Sequence, residues 1–325
     1  MCYSVEDYPR TLAEFEARFS TVEACRVYLV RLRWPDGFRC PACGGVKSWP
    51  LRTRPALIRC ATCGRQASVT AGTIFQDTRT PLTTWFRAMW WITSQRTGAS
   101  ARGLQESLGL GSYETAWTWL HKLRRAMVRP GRDRLTGRVE VDETYLGRPE
   151  EGVRGRKSQK KALIAVAAEE DGEGIGRIRM RRIPDASAHS LEAFVWEAVA
   201  PGSLLHTDGL LSYDRLEKRG YQHRITFLKG RRESPAELLP RVHRVVSLLN
   251  RWLLGTHQGA VSHAHLDYYL DEFTFRFNRR TSRHRGKLFY RLVEQALAVG
   301  PAPYTSLVKH VSSGWQHQRR QHHHS

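Results

Sequence analysis

The stretch "RVEVDETYLG", residues 138–147, alternates as a strand does, with Val139 and Val141 on one face and Glu140 and Asp142 on the other. The alternation brings Asp142 and Glu143 to the end of the strand, just ahead of a Gly. A carboxylate at the end of a buried strand is costly unless a cation joins it. A second such residue follows downstream. "GSLLHTDG" reads as a buried strand ending at Asp208, with Gly209 turning the chain at once. Two carboxylates at the ends of separate strands, joined by a divalent metal with a third ligand and water, make a site for Mg²⁺ or Mn²⁺ suited to phosphoryl transfer. For either Asp alone, a strand-end cap or turn residue is the competing reading.

The third ligand is expected from a later helix. "LPRVHRVVSLLNRWLLGTHQG" starts a helical pattern near Pro240, which projects His243 from its first turn and places Asn250 on the same face. A DNA-contacting or surface histidine is the alternative. Glu272 and Asn278 are rivals for the ligand role, although Glu272 also suits a salt-bridge set with Arg276 and Arg279 at i+4 and i+7.

Around these residues the pattern is mixed α/β. Strands are expected at 138–146, 161–170 and 175–183, then a helix at 187–200, the Asp208 strand, and helices near 240–254 and 264–278. Upstream the pattern is helical. Residues 11–34 read as helical, with Ser20 as an N-cap and Glu23 completing a capping box, and Pro35 closes that helix. A helix is expected over 81–95. Two more, broken by "GLGS", fall within 100–127 and have the outline of a helix-turn-helix. Four segments are expected: 1–75, an N-terminal helix and zinc ribbon; 76–130, the helical DNA-binding region; 131–300, the catalytic domain; and 301–325, a tail.

Between the first helix and the next lie "CPACGG" and "CATCGR". Cys40-x2-Cys43, sixteen residues, and Cys60-x2-Cys63 is the spacing of a tetrathiolate zinc site. Four thiolates close the coordination shell, so the expected role of Zn²⁺ is structural. The net charge of +21 over 325 residues points to nucleic acid as partner. Candidate DNA contacts are Arg52, Arg54 and Arg59 on the ribbon, Lys122, Arg124 and Arg125 on the second helix of the pair, and Arg156, Lys157, Lys160 and Lys161 in the basic segment after the first strand. A solvated basic face is the bland reading of each. No apolar run reaches the roughly 18 residues of a membrane span, and the N-terminus has no basic-then-apolar leader pattern. The expected location is the cytoplasm, associated with the nucleoid.

The stretches "CPACG…CATCG", "TAGTIFQDTRTPLTTWFRAMW", "VEVDETYLG", "HTDGLLSY", "LLGTHQG" and "LDEFTFRFNRR" resemble bacterial insertion-sequence transposases with an N-terminal zinc ribbon, the group related to the Merlin elements. The resemblance spans about residues 20–295. It implies an RNase H-like catalytic domain with a DDE-type metal site, in which Asp142 and Asp208 match the two Asp positions. It further implies cleavage and strand transfer at the terminal inverted repeats of an element, insertion into target DNA, and a homo-oligomer that holds two ends. The family's third position is often Glu, seven residues before a Lys; here the matching positions carry His243 and Asn250. An Asp-Asp-His site that favours Mn²⁺ is one reading of this departure. A decayed site on a chain that only binds DNA as a regulator is the other. With Asn250 in place of the Lys, Arg251, Arg241 or Arg244 would have to hold phosphate.

Overall fold

The computed structural model describes residues 6–129, 131–147, 161–227, 234–257, 261–304 and 307. The chain divides into two compact units, residues 1–130 with 282–310, and residues 131–281 with 311–325.

In the first unit, α1 (Leu12–Arg18) and α2 (Val22–Arg33) occupy the stretch 11–34 that the sequence reads as helical. The break lies at 19–21, and the capping residue of α2 is Thr21, whose hydroxyl accepts from the Ala24 amide; Ser20 does not cap it. A three-stranded antiparallel ribbon follows: β1 (Ser48–Leu51), β2 (Arg54–Cys60) and β3 (Gln66–Ser68). Next come α3 (Leu82–Ser94), α4 (Ala101–Leu108) and α5 (Tyr113–Ala126). Ser100 and Ser112 cap α4 and α5, and Gly109 closes α4 in the left-handed conformation at φ 62°, which costs glycine little.

The sequence reading continued the catalytic domain to residue 300. In the structure residues 282–310 group with the first unit, and their helix α10 (Arg285–Ala298) packs on α2, α3 and α5. Phe289 of this helix centres an aromatic cluster, with ring centroids 5.3 Å from Phe15, 5.6 Å from Phe86 and 5.8 Å from Trp90. Trp85 stacks on Trp119 at 3.9 Å. At Gly286 an added Cβ would fall 1.6 Å from the Pro9 carbonyl oxygen, so only glycine fits there.

The second unit is built on one mixed sheet. Its elements are β4 (Arg138–Leu146), β5 (Ala162–Asp171), β6 (Gly174–Ile183), α6 (Ala188–Ala198), β7 (Leu204–Asp208), β8 (Gln222–Thr226), a single turn α7 (Pro235–Leu238), α8 (Pro240–His257) and α9 (Leu266–Phe277). The strand order is β6-β5-β4-β7-β8. The first three strands form an antiparallel meander, and β7 and β8 run parallel to β4. This is the RNase H-like arrangement.

Both faces are covered, which explains the nearly continuous apolar run "ALIAVAA" of β5. On one face Val139, Val141, Ala165 and Leu205 pack with Leu191, Phe194 and Val195 of α6. On the other, Ile164, Val166 and Ala168 meet Val242, Val245, Leu249 and Leu253 of α8, with Leu270 and Phe273 of α9. The helical spacing of these α8 residues is what holds that helix against the sheet.

Candidate active site and zinc ribbon

The register of the two parallel strands decides where the carboxylates lie. Val139 pairs with Leu205 and Glu140 with His206. Two residues further along each strand, at the same offset, are Asp142 and Asp208. Asp208 closes β7, and Asp142 stands beside it in the middle of β4, just beyond the point where the β4–β7 pairing stops. Because Val139, Val141 and Leu205 face α6, the period of two turns Glu140, Asp142, His206 and Asp208 toward the α8 side.

The first turn of α8 brings His243 to this place. Its Nε2 lies 3.7 Å from Asp142 Oδ2, too far for a hydrogen bond, and this buried nitrogen has no hydrogen-bond partner. Burial lowers the His243 pKa, which keeps its ring neutral and its lone pair free near pH 7. Burial, aided by the neighbouring Glu143 and Asp208 carboxylates, pushes Asp142 up to about 7. Asp142 Oδ1 accepts the Glu143 amide at 2.8 Å, and Asp208 Oδ1 accepts the Leu210 amide at 3.1 Å. Each keeps its second carboxylate oxygen for another partner.

A half-buried carboxylate pair beside an orphaned imidazole nitrogen is a donor set that fits a divalent cation. The group is looser than the ribbon cysteines, which are the cluster of three or more such side chains within ligand spacing among the described residues.

The rivals for the third ligand are engaged elsewhere. Glu272 is fully buried and accepts from Arg276 Nε at 2.8 Å. The Asn278 amide clasps the Ile178 backbone, with bonds of 2.7 and 3.1 Å. Arg241 is not available for phosphate: its guanidinium donates to Glu140 Oε1, Gly174 O and Gly172 O. Arg244 and Arg251 are exposed. Glu143 faces the α6 side and accepts from the Tyr213 hydroxyl at 3.0 Å.

In the ribbon, Cys40 Sγ is 3.7 Å from Cys63 Sγ, and Cys43 Sγ is 3.7 Å from Cys60 Sγ. All four sulfurs lie within 4.8 Å of one another. Tetrahedral zinc with bonds of about 2.3 Å separates its sulfurs by roughly 3.8 Å, so the quartet fits the ion. Gly44 and Gly64 take φ of 74° and 70°, which turns each knuckle back over its pair. Backbone amides of Cys63 and Thr62 pull the Cys60 thiol down to about 6 against its desolvation, favouring the thiolate that a metal takes.

Of the expected DNA contacts, Arg52, Arg54 and Arg59 are exposed on the ribbon, and Lys122, Arg125 and Lys161 are half-buried. Arg124 is a correction. It is 1% exposed and donates to the Ala99 carbonyl at 3.2 Å, so it belongs to the helical core. Its position four residues after buried Leu120 signals this in the sequence. Arg156, Lys157 and Lys160 lie outside the described residues. Among the described residues no helix is long and apolar enough to cross a membrane.

Comparison with known proteins bears on both units. Residues 134–278 match an ISXO2-like transposase domain, and residues 20–66 match a transposase zinc-ribbon domain. An uncharacterized protein in transposable element ISH50 of Halobacterium salinarum is 27% identical over 277 residues, covering 80% of this chain and 91% of that protein. Two solved structures, the Mos1 strand transfer complex and the Mos1 mariner paired end complex with Mn, align over 65% of this chain and 74% and 75% of theirs. Their identities are 12% and 11%, and their TM-scores 0.27 and 0.28.

Proposed function

We propose that this chain acts as an insertion-sequence transposase in which Asp142, Asp208 and His243 hold a divalent metal for cleavage of DNA at the element's ends and transfer to a target; the matches to an ISXO2-like transposase domain and a transposase zinc-ribbon domain support this reading. The observation that supports this most is the placement of Asp142 and Asp208 at one depth on adjacent parallel strands, with His243 Nε2 3.7 Å from Asp142. Mg²⁺ or Mn²⁺ bound there would supply Lewis-acid activation of the attacking hydroxyl and charge neutralisation at the leaving oxygen.

The chain's own residues do the rest. Asp142 gives up its proton when a cation is taken, so binding strengthens with pH up to about 7. His243 offers a neutral nitrogen, and imidazole beside two carboxylates shifts preference toward Mn²⁺. The exposed Arg52, Arg54 and Arg59 of the zinc-loaded ribbon, with Lys122 and Arg125 of α5, grip the phosphate backbone of the terminal inverted repeats. Lys161 holds DNA after the first catalytic strand, and Arg244 and Arg251 take the phosphate-holding role. Pairing two ends requires at least two copies on DNA, working in the cytoplasm at the nucleoid.

The test is cleavage and joining of a labelled duplex carrying an element end, in Mg²⁺ or Mn²⁺. Wild type is expected to cut and join, Asp208→Ala and His243→Ala to be inactive, and His243→Glu to work in Mg²⁺. Cleavage that survives His243→Ala but not Asp208→Ala removes His243 from the site. Tight end binding by a wild type that cuts nothing leaves a DNA-binding regulator on a decayed scaffold.

A further inference from the structure

We propose that Glu140 is a positioning residue for His243: its buried carboxylate caps the first turn of α8 and so sets the distance between the His243 ring and Asp142. The proposal rests on the reading of Asp142, Asp208 and His243 as a divalent-metal site.

Glu140 is 1% exposed and, with Glu272, one of the two buried acids among the described residues. It sits two residues before Asp142 on β4 and shares its face. Oε2 accepts the Arg241 amide at 2.7 Å and the Val242 amide at 3.0 Å, and Oε1 accepts Arg241 Nη1 at 3.0 Å. A helix start leaves its first N–H groups without intrahelical partners, and a residue just upstream usually satisfies them. Here a strand distant in sequence does so. Pro240 has no N–H to offer, so the next two amides are the ones that need acceptors. A carboxylate also suits the positive end of the helix dipole.

The rest of Arg241 is tied down as well. Nε donates to the carbonyl of Gly174, the first residue of β6, at 3.1 Å, and Nη2 to Gly172 O, in the turn between β5 and β6, at 3.0 Å. Glu170 Oε1 lies 3.3 Å from Nη1. The start of α8 is therefore pinned to three strands of the sheet. The next residue after the pinned pair is His243. A buried ion pair adds little net stability, but its directional bonds fix geometry well. One strand thus carries a metal-site carboxylate and, two residues earlier, the anchor for the helix that brings the third ligand.

Mn²⁺ affinity of the purified, zinc-loaded full chain tests this, read from the electron paramagnetic resonance signal of free Mn²⁺ during titration. Outer partners of metal ligands typically change affinity by about 10- to 100-fold. Glu140→Gln is expected to weaken Mn²⁺ binding about tenfold with its thermal midpoint near that of wild type, and Glu140→Ala to weaken it more, because Gln keeps an acceptor oxygen. Arg241→Met, which leaves both backbone donors in place, should weaken it only a few-fold.

The deciding arm is His243→Ala, in which Glu140→Gln should cause no further loss. An equal loss with and without His243 overturns the proposal, and so does unchanged Mn²⁺ affinity in Glu140→Gln when Asp208→Ala weakens binding. Asp208→Ala with wild-type Mn²⁺ affinity brings down the metal-site reading itself, and this inference with it. If Glu140→Gln does not fold, Arg241→Met enters the same cycle with the same criteria.

Discussion

His243 Nε2 and Asp142 Oδ2 stand 3.7 Å apart, a distance at which neither satisfies the other but both can reach one cation. The strand and the helix that carry them are remote in sequence. What brings them together is the packing of α8 on the sheet through Val242, Val245 and Leu249, with Glu140 fixing the helix start.

This arrangement makes stability depend on pH. Asp142 titrates at about 7 in the fold, against an ordinary value of 3.8, so the folded chain holds a proton that the unfolded chain has lost. Its contribution to stability therefore falls as pH rises from about 4 to about 7 and stays low above that. A tenfold change in proton affinity is worth about 1.4 kcal/mol, which sets a ceiling on the order of 4 kcal/mol for metal-free protein. His243, lowered by burial, acts in the opposite sense below about 6.5, so the comparison must be between variant and wild type. Asp142→Asn should gain on wild type between pH 5 and pH 8 in urea unfolding, and Mn²⁺ should stabilise only the wild type. A gain that is the same at both pH values would show that Asp142 is not raised.

The ribbon should need its metal. Among its described residues only Cys40, Cys60, Ala67 and Val69 are buried, too little apolar surface to hold three short strands. One zinc per chain is expected. Its removal by a chelator, or Cys43→Ser, should expose the amides of β1 to β3 to hydrogen exchange while those of β5 stay protected. Protection of β2 after complete zinc removal would argue for a self-sufficient ribbon.

Two arginine substitutions should separate core from contact. Arg124→Ala is expected to cost about 1–3 kcal/mol by leaving the buried Ala99 carbonyl without this donor, with DNA affinity unchanged below its melting temperature. Arg59→Ala should leave stability alone and lower the slope of log affinity against log salt by about 1. Fluorescence anisotropy on an end duplex at several salt concentrations checks both.

Tyr145 occupies the α6 face of β4, opposite Asp142. Tyr145→Phe should therefore reduce cleavage only a few-fold, since hydroxyl attack on the phosphodiester needs no covalent enzyme–DNA link. Complete loss of cutting, with fold and DNA affinity intact, would point to a tyrosine nucleophile.

Much of this was legible in local pattern. The alternation of β4, the apolar run of β5 and the cysteine spacing all reflect short-range periods, and the strands at 138–146 and 204–208 stand where those periods placed them. β8 was missed because "QHRIT" is a mostly exposed edge strand with no clean alternation. The start of α2 was placed one residue early because Ser20 and Thr21 both suit a cap, and only packing chooses between them. Glu140 read simply as the polar face of a strand. Its partners lie a hundred residues away, and the only local sign was its shared face with Asp142.

The return of α10 to the first unit gives the chain an order of completion on the ribosome. Its helical core begins to emerge first but is completed only late, because Phe289 arrives after all five strands of the second unit have been synthesised. A transcript cut short anywhere between residues 131 and 284 yields a polypeptide whose Phe15, Phe86 and Trp90 lack their central ring. Such fragments would expose aromatic surface and be cleared as misfolded chains rather than persist as separate halves.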